Sequence, residues 1–288
     1  MPIGEVQDVA HSDSDLAEAV AYIRGRQTPA GGFSYYRSWG VEEPAAADTY
    51  YAVEALGFLE SGPERREDCL RWLHERQTDE GGYSSIAAAW YVTGSLARLS
   101  SRPQRDPTAW LAPYSERFFD GINEPGVAHE ILLNLLRYIE LRDRFAVALE
   151  PRHLDALIAT LQRLQDDNGA LPKDGANLTD SAIALYLMRA ANLIADRRIL
   201  EFARACEDET YGFRAATTGQ SSSLEVLAGG VAILHAFGKK PAYPRALLNA
   251  VTACRHANGG FGRSAGAVTT LYDSYLALFI INRIEAFL

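Results

Sequence analysis

The sequence predicts an all-α fold, a double-layered (α/α)6 helical barrel of about six helix–loop–helix repeats. Three observations lead there. A glycine-bearing turn recurs along the chain. An apolar stretch follows each turn after a variable loop. The helix before the turn is amphipathic, whereas the one after it is apolar nearly all round and must be covered on most sides. Alternating such helices about six times describes two concentric rings, because one repeat cannot bury its inner helix alone but its neighbours can.

The clearest pair of turns is IRGRQTPAGGFSYYRSW from Ile23 and LHERQTDEGGYSSIAAAW from Leu73. The punctuation returns in LQRLQDDNGALPK from Leu161, CEDETYGFR from Cys206 and CRHANGGFGR from Cys254. The apolar stretches are DTYYAVEALGFL from Asp48, AAWYVTGSLARL from Ala88, DSAIALYLM from Asp180, SLEVLAGGVAIL from Ser223 and DSYLALFII from Asp273. Pro107 to Leu141 reads as a degenerate copy that lacks the Gly-Gly turn but keeps the apolar GVAHEILLNLLRYI. Before the Leu161 turn, Leu157, Leu161 and Leu164 form one stripe, with Arg163, Gln165 and Asp166 opposite. Gly-Gly is expected to stop each outer helix, since glycine takes the left-handed conformation cheaply. Closure is preferred to an open solenoid because neither end shows a polar capping repeat; the last one ends in LALFIINRIEAFL.

Residues 1–288 are read as one domain, with 48% hydrophobic residues, enough for a large core. A formal charge of −9 without a Lys/Arg block argues against nucleic acid, which binds through counterion release, and against anionic membrane surfaces. Cys69, Cys206 and Cys254 are odd in number and form no CxxC, which fits buried thiols in a reducing compartment. The acidic, polar start lacks a signal-peptide pattern, and no apolar run reaches the ~18 residues of a spanning helix. A cytoplasmic location follows as the expectation. Self-association is compatible with this composition.

The Gly-Gly-aromatic turn followed by an Asp at the start of an apolar helix resembles the repeat of the prenyltransferase and squalene-oxidase superfamily. That superfamily includes protein prenyltransferase β subunits, squalene–hopene cyclases and class II terpene cyclases. GGFSYYR with DTYYAVEAL and GGFGR with DSYLAL are the best copies. The resemblance implies a barrel with a central apolar cavity for an isoprenoid. Tyr50, Tyr51, Trp90, Tyr91, Tyr186, Tyr275 and Phe279 lie on the inner helices, and aromatic faces stabilise a carbocation.

The catalytic signatures of these relatives do not recur. The second positions after the repeat Asp are Tyr50, Ala182 and Tyr275, so the Asp-x-Cys half of a zinc site is missing. His129 and His235 lie on inner helices without a cysteine, and no metal site is expected. There is no DxDD. Asp13-Ser14-Asp15 falls where it would cap the first helix, and Asp166-Asp167-Asn168 begins like DDxxD but lacks the later Asp.

Two recurring sets remain. Asp48, Asp180 and Asp273 start inner helices, with Glu225 and His129/Glu130 at the starts of repeats lacking that Asp. Each Asp is expected to be an N-cap, or, if buried against aromatics, a general acid with a raised pKa. Arg37, Lys173, Arg214 and Arg263 follow the turns and would gather at one mouth, where an anionic head group such as diphosphate could sit. Glu54 and His235 are further polar residues in apolar surroundings. The expected substrate site is an apolar cavity lined by Tyr50, Trp90, His129, Tyr186 and Tyr275, each aromatic within about two helical turns of that mouth. No cofactor is expected, apart from magnesium accompanying a diphosphate substrate. The activity implied is that of a cyclase or prenyl-transfer relative with a carboxylate general acid; the alternative is a non-catalytic isoprenoid binder or scaffold.

Overall fold

The computed structural model describes residues 13–35, 42–116, 128–218 and 222–284. Among these residues there are twelve helices, in alternating outer and inner positions. The outer helices are α1 (Asp13–Arg24), α3 (Arg66–His74), α5 (Thr108–Leu111), α7 (Pro151–Leu164), α9 (Arg197–Ala205) and α11 (Pro244–Ala253). The inner helices are α2 (Ala46–Phe58), α4 (Ile86–Arg98), α6 (Ala128–Arg144), α8 (Leu178–Ala190), α10 (Leu224–Ala236) and α12 (Leu271–Ile284). Two antiparallel two-residue ladders are the strands present among the described residues. One pairs β1 (Glu207–Asp208) with β2 (Gly212–Phe213), the other β3 (Phe261–Gly262) with β4 (Thr269–Thr270).

The inner ring closes. Each inner helix packs on the next, from α2 through α12, and α12 packs back on α2. Their flanks are apolar and fully buried, as at Ala52, Val53, Ala55 and Leu56 of α2 and Leu227 and Val231 of α10. Gly229 of α10 lets that helix come close to α8, where a Cβ would stand 2.8 Å from the Leu178 carbonyl oxygen.

The outer layer closes by a different device. Each of these turns leans on the outer helix of the next repeat or on the segment leading into it: Gly31 on Asp68, Gly81 on Asp106 just before α5, Gly169 on Arg198, Gly212 on Leu247 and, across the seam, Gly259 on Glu18. At Gly259 the backbone has φ +83°, and a Cβ would meet the Glu18 carbonyl oxygen at 2.3 Å. Arg255 strengthens the seam by pairing with Asp15 and Glu18 of α1.

These glycines do not stop the outer helices, contrary to the sequence expectation. α1, α3, α7 and α11 end at Arg24, His74, Leu164 and Ala253, several residues earlier. The glycine instead forms the tip of a tight loop, in which Thr28 N–H donates to Gly32 O and Thr78 N–H to Gly82 O. The Gln of the Arg-Gln-Thr signature ties this loop to the next outer helix. Gln27 Nε2 donates to Gly31 O and Arg65 O, while its Oε1 accepts from Arg65 N–H. Gln77 does the same with Gly81 and Arg105. The degenerate repeat has shrunk to the single-turn α5, whose Trp110 still packs under Gly82.

Candidate functional site

On an inner helix, neighbours cover both flanks and an outer helix covers the back. The remaining face points to the barrel axis, and its side chains stay partly accessible. On α2 this stripe is Ala47, Tyr50, Tyr51, Glu54 and Phe58; on α12 it is Tyr272, Tyr275, Phe279 and Arg283. Spacings of three and four residues place each set on one face.

Three adjacent helices supply an aromatic wall. Tyr50 lies 4.6 Å from Trp90, 5.6 Å from Tyr91 and 6.4 Å from Tyr275, between ring centroids. Tyr51 contacts Tyr91, Tyr272 and Tyr275 at 5.7, 4.8 and 5.4 Å. Phe58 and Phe279 continue the wall toward the far end. Gly94 of α4 makes room for it, since a Cβ there would stand 2.7 Å from the Tyr50 ring. Burial raises the phenol pKa of Tyr50, Tyr51, Tyr272 and Tyr275, so the wall is a neutral surface.

Opposite in character is α6. The sequence reading made every inner helix apolar nearly all round, but one face of α6 carries Glu130, Asn134, Arg137, Glu140 and Arg144. Glu140 accepts a 2.5 Å hydrogen bond from the Trp90 indole. Glu54, across on α2, pairs with Arg98 at 3.3 Å. Burial holds both carboxyls above the usual carboxylate range, against the pull of Trp90 and Arg144 on Glu140 and of Arg98 and Arg144 on Glu54. Both carboxylates act electrostatically on Tyr50 and Tyr275, which places them at the aromatic wall. Glu54 stood among the polar residues noted in the sequence. Glu140 did not, because YIELRDR reads as an ordinary polar helix end.

The repeat carboxylates occupy the other end, where the inner helices begin. They are not N-caps. The caps are Ala45, Asn177 and Thr270, and Asp48, Asp180 and Asp273 each lie three residues further on. Asn177 Oδ1 accepts from the Asp180 N–H, and its Nδ2 donates to Asp180 Oδ2; Thr270 and Asp273 reciprocate in the same way. This is the logic of a capping box, two partners satisfying each other. Asp180 also holds His129 Nδ1 at 2.6 Å. Asp48 accepts from Tyr35 N–H at 3.2 Å. Burial raises the pKa of Asp48 and Asp273, opposed by the Tyr35 N–H and by the Thr270 hydroxyl respectively.

Of the turn-following cations, Arg263 and Arg214 lie beside the inner-helix starts of this rim, where Leu224 N–H donates to Arg263 O and Leu178 N–H to Ala215 O. Arg263 pairs with Glu225 at 2.6 Å. Arg214 pairs with Asp208 at 3.5 Å. Lys173 is exposed. Arg37 lies outside the described residues. Tyr50, Trp90 and Tyr275 each stand five residues past the cap position, near this rim. Tyr186 does not; nine residues past Asn177, it is about 13 Å along α8. It faces the far end instead, within the field of Arg283 and Arg189.

Among the described residues no group of three or more His, Cys, Asp or Glu side chains could hold a metal ion. Nor is any described helix long and apolar enough to cross a membrane.

The sequence matches the prenyltransferase alpha-alpha toroid domain over residues 5–85 and 178–287. The chain belongs to this family. The gap between the two matched stretches holds α4 to α7, among them the short α5 and the polar α6. Among solved structures, the chain is similar to a protein from Actinoplanes, with a TM-score of 0.52 and 14% identity over 94% of this chain and 98% of the other. That likeness concerns the fold. No curated protein matches.

Proposed function

We propose that the lumen binds an isoprenoid chain and that the protein acts on it as a cyclase or prenyl-transfer relative, with Glu54 or Glu140 as general acid. One observation carries this reading: two carboxyls with raised pKa stand at the same aromatic wall. In its protonated form such a carboxyl donates its proton to an alkene carbon of the chain. The π pair forms the new C–H bond, a tertiary carbocation remains, and ring faces from α2 and α12 stabilise it. Attack by the next alkene closes a ring. Loss of a proton to the carboxylate restores an alkene, so the product has the substrate's mass. Asp48, Asp180, Asp273 and Glu225 fit this role less well, since they stand at the inner-helix starts, whereas Glu54 and Glu140 act on Tyr50 and Tyr275 of the wall.

A second reading, a non-catalytic isoprenoid carrier, draws on the engagement of Glu140 by Trp90 and Glu54 by Arg98. Incubation with polyprenyl diphosphates and polyene epoxides, with and without magnesium, separates the two by mass spectrometry. The cyclase reading expects a product isomeric with its substrate, reduced ~10²–10⁴-fold in Glu54→Gln or Glu140→Gln. Tight binding without any new product leaves the carrier.

A further inference from the structure

We propose that the two lumen carboxyls divide the reaction between them: Glu140 donates the first proton, and Glu54, which Arg98 holds, takes the last. The roles differ because the partners differ. Glu140 is bonded to the Trp90 indole, a neutral donor, whereas Glu54 is paired with the Arg98 guanidinium, a full charge. A cation favours the ionised carboxyl more than a dipole does.

Arg98 is seated for this task. It belongs to α4, yet its guanidinium lies across the end of α2, 5.5 Å from the Phe58 ring centroid and 3.3 Å from Glu54. Gly57 leaves the space, since a Cβ there would stand 2.6 Å from Arg98 Cζ. Arg98 is therefore a positioning residue for Glu54. Arg144 does not separate the two carboxyls. It acts on both, while its Nη1 donates to the Trp90 carbonyl and the Thr93 hydroxyl. The facing phenols are Tyr50 on α2 and Tyr275 on α12, with Tyr186 on α8 beside Glu140, and burial keeps all three neutral. Asp143 adds a like charge on the Glu140 side alone.

Burial raises the pKa of both carboxyls, but Arg98 is a counterweight that Glu140 lacks. A pH window follows in which Glu140 still carries its proton and Glu54 has lost it, as an acid and a base in one site require. In that window the Glu140 O–H gives its proton to an alkene carbon, whose π pair forms the C–H bond. After ring closure Glu54 removes a proton from the carbon beside the cation, and that C–H pair becomes the new π bond. Glu54 then holds one proton more and Glu140 one fewer, and exchange with water restores both.

This rests on the cyclase reading for the chemistry but not for the order of titration, and two measurements keep them apart. Difference infrared spectroscopy of the full chain follows the carboxyl bands, assigned with Glu54→Gln and Glu140→Gln. Glu54 is expected to lose its proton at lower pH than Glu140. Gly57→Ala keeps the arginine but displaces its guanidinium, and should move the Glu54 titration up by about one pH unit while leaving Glu140 in place. Arg98→Gln should do the same and Arg98→Lys less. The obstacle to a Gly57 Cβ is the end of a flexible side chain, so Gly57→Ala decides even if Arg98→Gln fails to fold.

The second measurement is product formation from geranylgeranyl diphosphate and from oxidosqualene. Glu140→Gln should slow substrate loss by about 100-fold or more, whereas Glu54→Gln should slow it by less than about tenfold and replace the parent's alkene with other isomers or with an alcohol one water heavier. In Gly57→Ala the acid limb of the pH profile should move up with Glu54. A reversed titration order, a Glu54 titration indifferent to Gly57→Ala, or initiation lost in Glu54→Gln but kept in Glu140→Gln overturns the division, while the parent's product still upholds the cyclase reading. The expected titrations without an isomeric product from either substrate remove the cyclase reading, and both catalytic roles with it.

Discussion

The turn-side rim and the lumen both hold acids and bases, but they satisfy them differently. At the rim the carboxylates are matched by cap residues, an imidazole or an arginine: Asp180 with Asn177 and His129, Asp273 with Thr270, Glu225 with Arg263. Within the lumen the matching is mixed, and every partner lies on another inner helix: Glu140 against an indole, Glu54 against an arginine one helix away, Arg137 against a phenol. Rim residues recur from repeat to repeat, and lumen polar residues occur once. In a repeat protein, recurrence marks what each unit needs in order to fold, and the departures mark what the assembled ring can do.

If this contrast holds, rim substitutions cost stability and lumen substitutions cost chemistry. The largest effect is expected at the seam. Gly259→Ala combines a left-handed backbone with a Cβ at 2.3 Å from Glu18 O, and should lower stability by more than about 3 kcal/mol in urea unfolding. Gly175→Ala is its control: φ is +97° with nothing nearby, so strain alone should cost about 1–2 kcal/mol. Equal losses would mean that the contact with the next outer helix is irrelevant.

Next comes Asp180→Ala. Removing the partner of both Asn177 and His129 should cost about 1–3 kcal/mol, with any activity unchanged in the protein that remains folded. Activity lost ahead of stability would return Asp180 to the catalytic candidates.

Glu54→Gln and Glu140→Gln should behave in the opposite way. Both carboxyls have folded-state pKa values raised above 4.5, chiefly by burial. Between 4.5 and the raised value the folded chain holds protons that the unfolded chain has released. Each group's contribution to stability therefore falls as pH rises through that window and then levels off. At pH 7 each Gln variant should be no less stable than the parent, with the advantage vanishing toward pH 4. Thermal melts across this range would show it, and a variant markedly less stable at pH 7 would place that carboxylate in the structural class. The smallest effect is expected for Arg263→Ala, below about 0.5 kcal/mol, because its ion pair with Glu225 is largely exposed.

The ring was legible because burial demands repeat with the sequence: DTYYAVEAL and DSYLAL lie in neighbouring helices of the closed ring. The role of the glycine was misread. Local helix-stop chemistry is visible in sequence, whereas the close approach of Asp68 or Glu18 is a contact with another repeat. The Asp positions were misread by three residues for a related reason. Capping depends on where the helix begins, and Asn177 and Thr270 are no less plausible starts than the aspartates. Tyr50, Trp90 and Tyr275 were readable as lumen residues from their place in the repeat. Glu140 and Arg137 were not, because they lie in the copy that departs most from the pattern, where no other repeat supplies a register.

Closure has a consequence for how such a chain can change. An open solenoid gains or loses a unit at either end and keeps every remaining interface. Here the turn carrying Gly259 grips α1, and Arg255 reaches Asp15 across 240 positions of sequence. Adding or deleting one repeat would break that grip and alter the curvature of every joint. The copy number is therefore fixed by geometry, and new properties can enter only by altering units in place, as the α5–α6 unit has been.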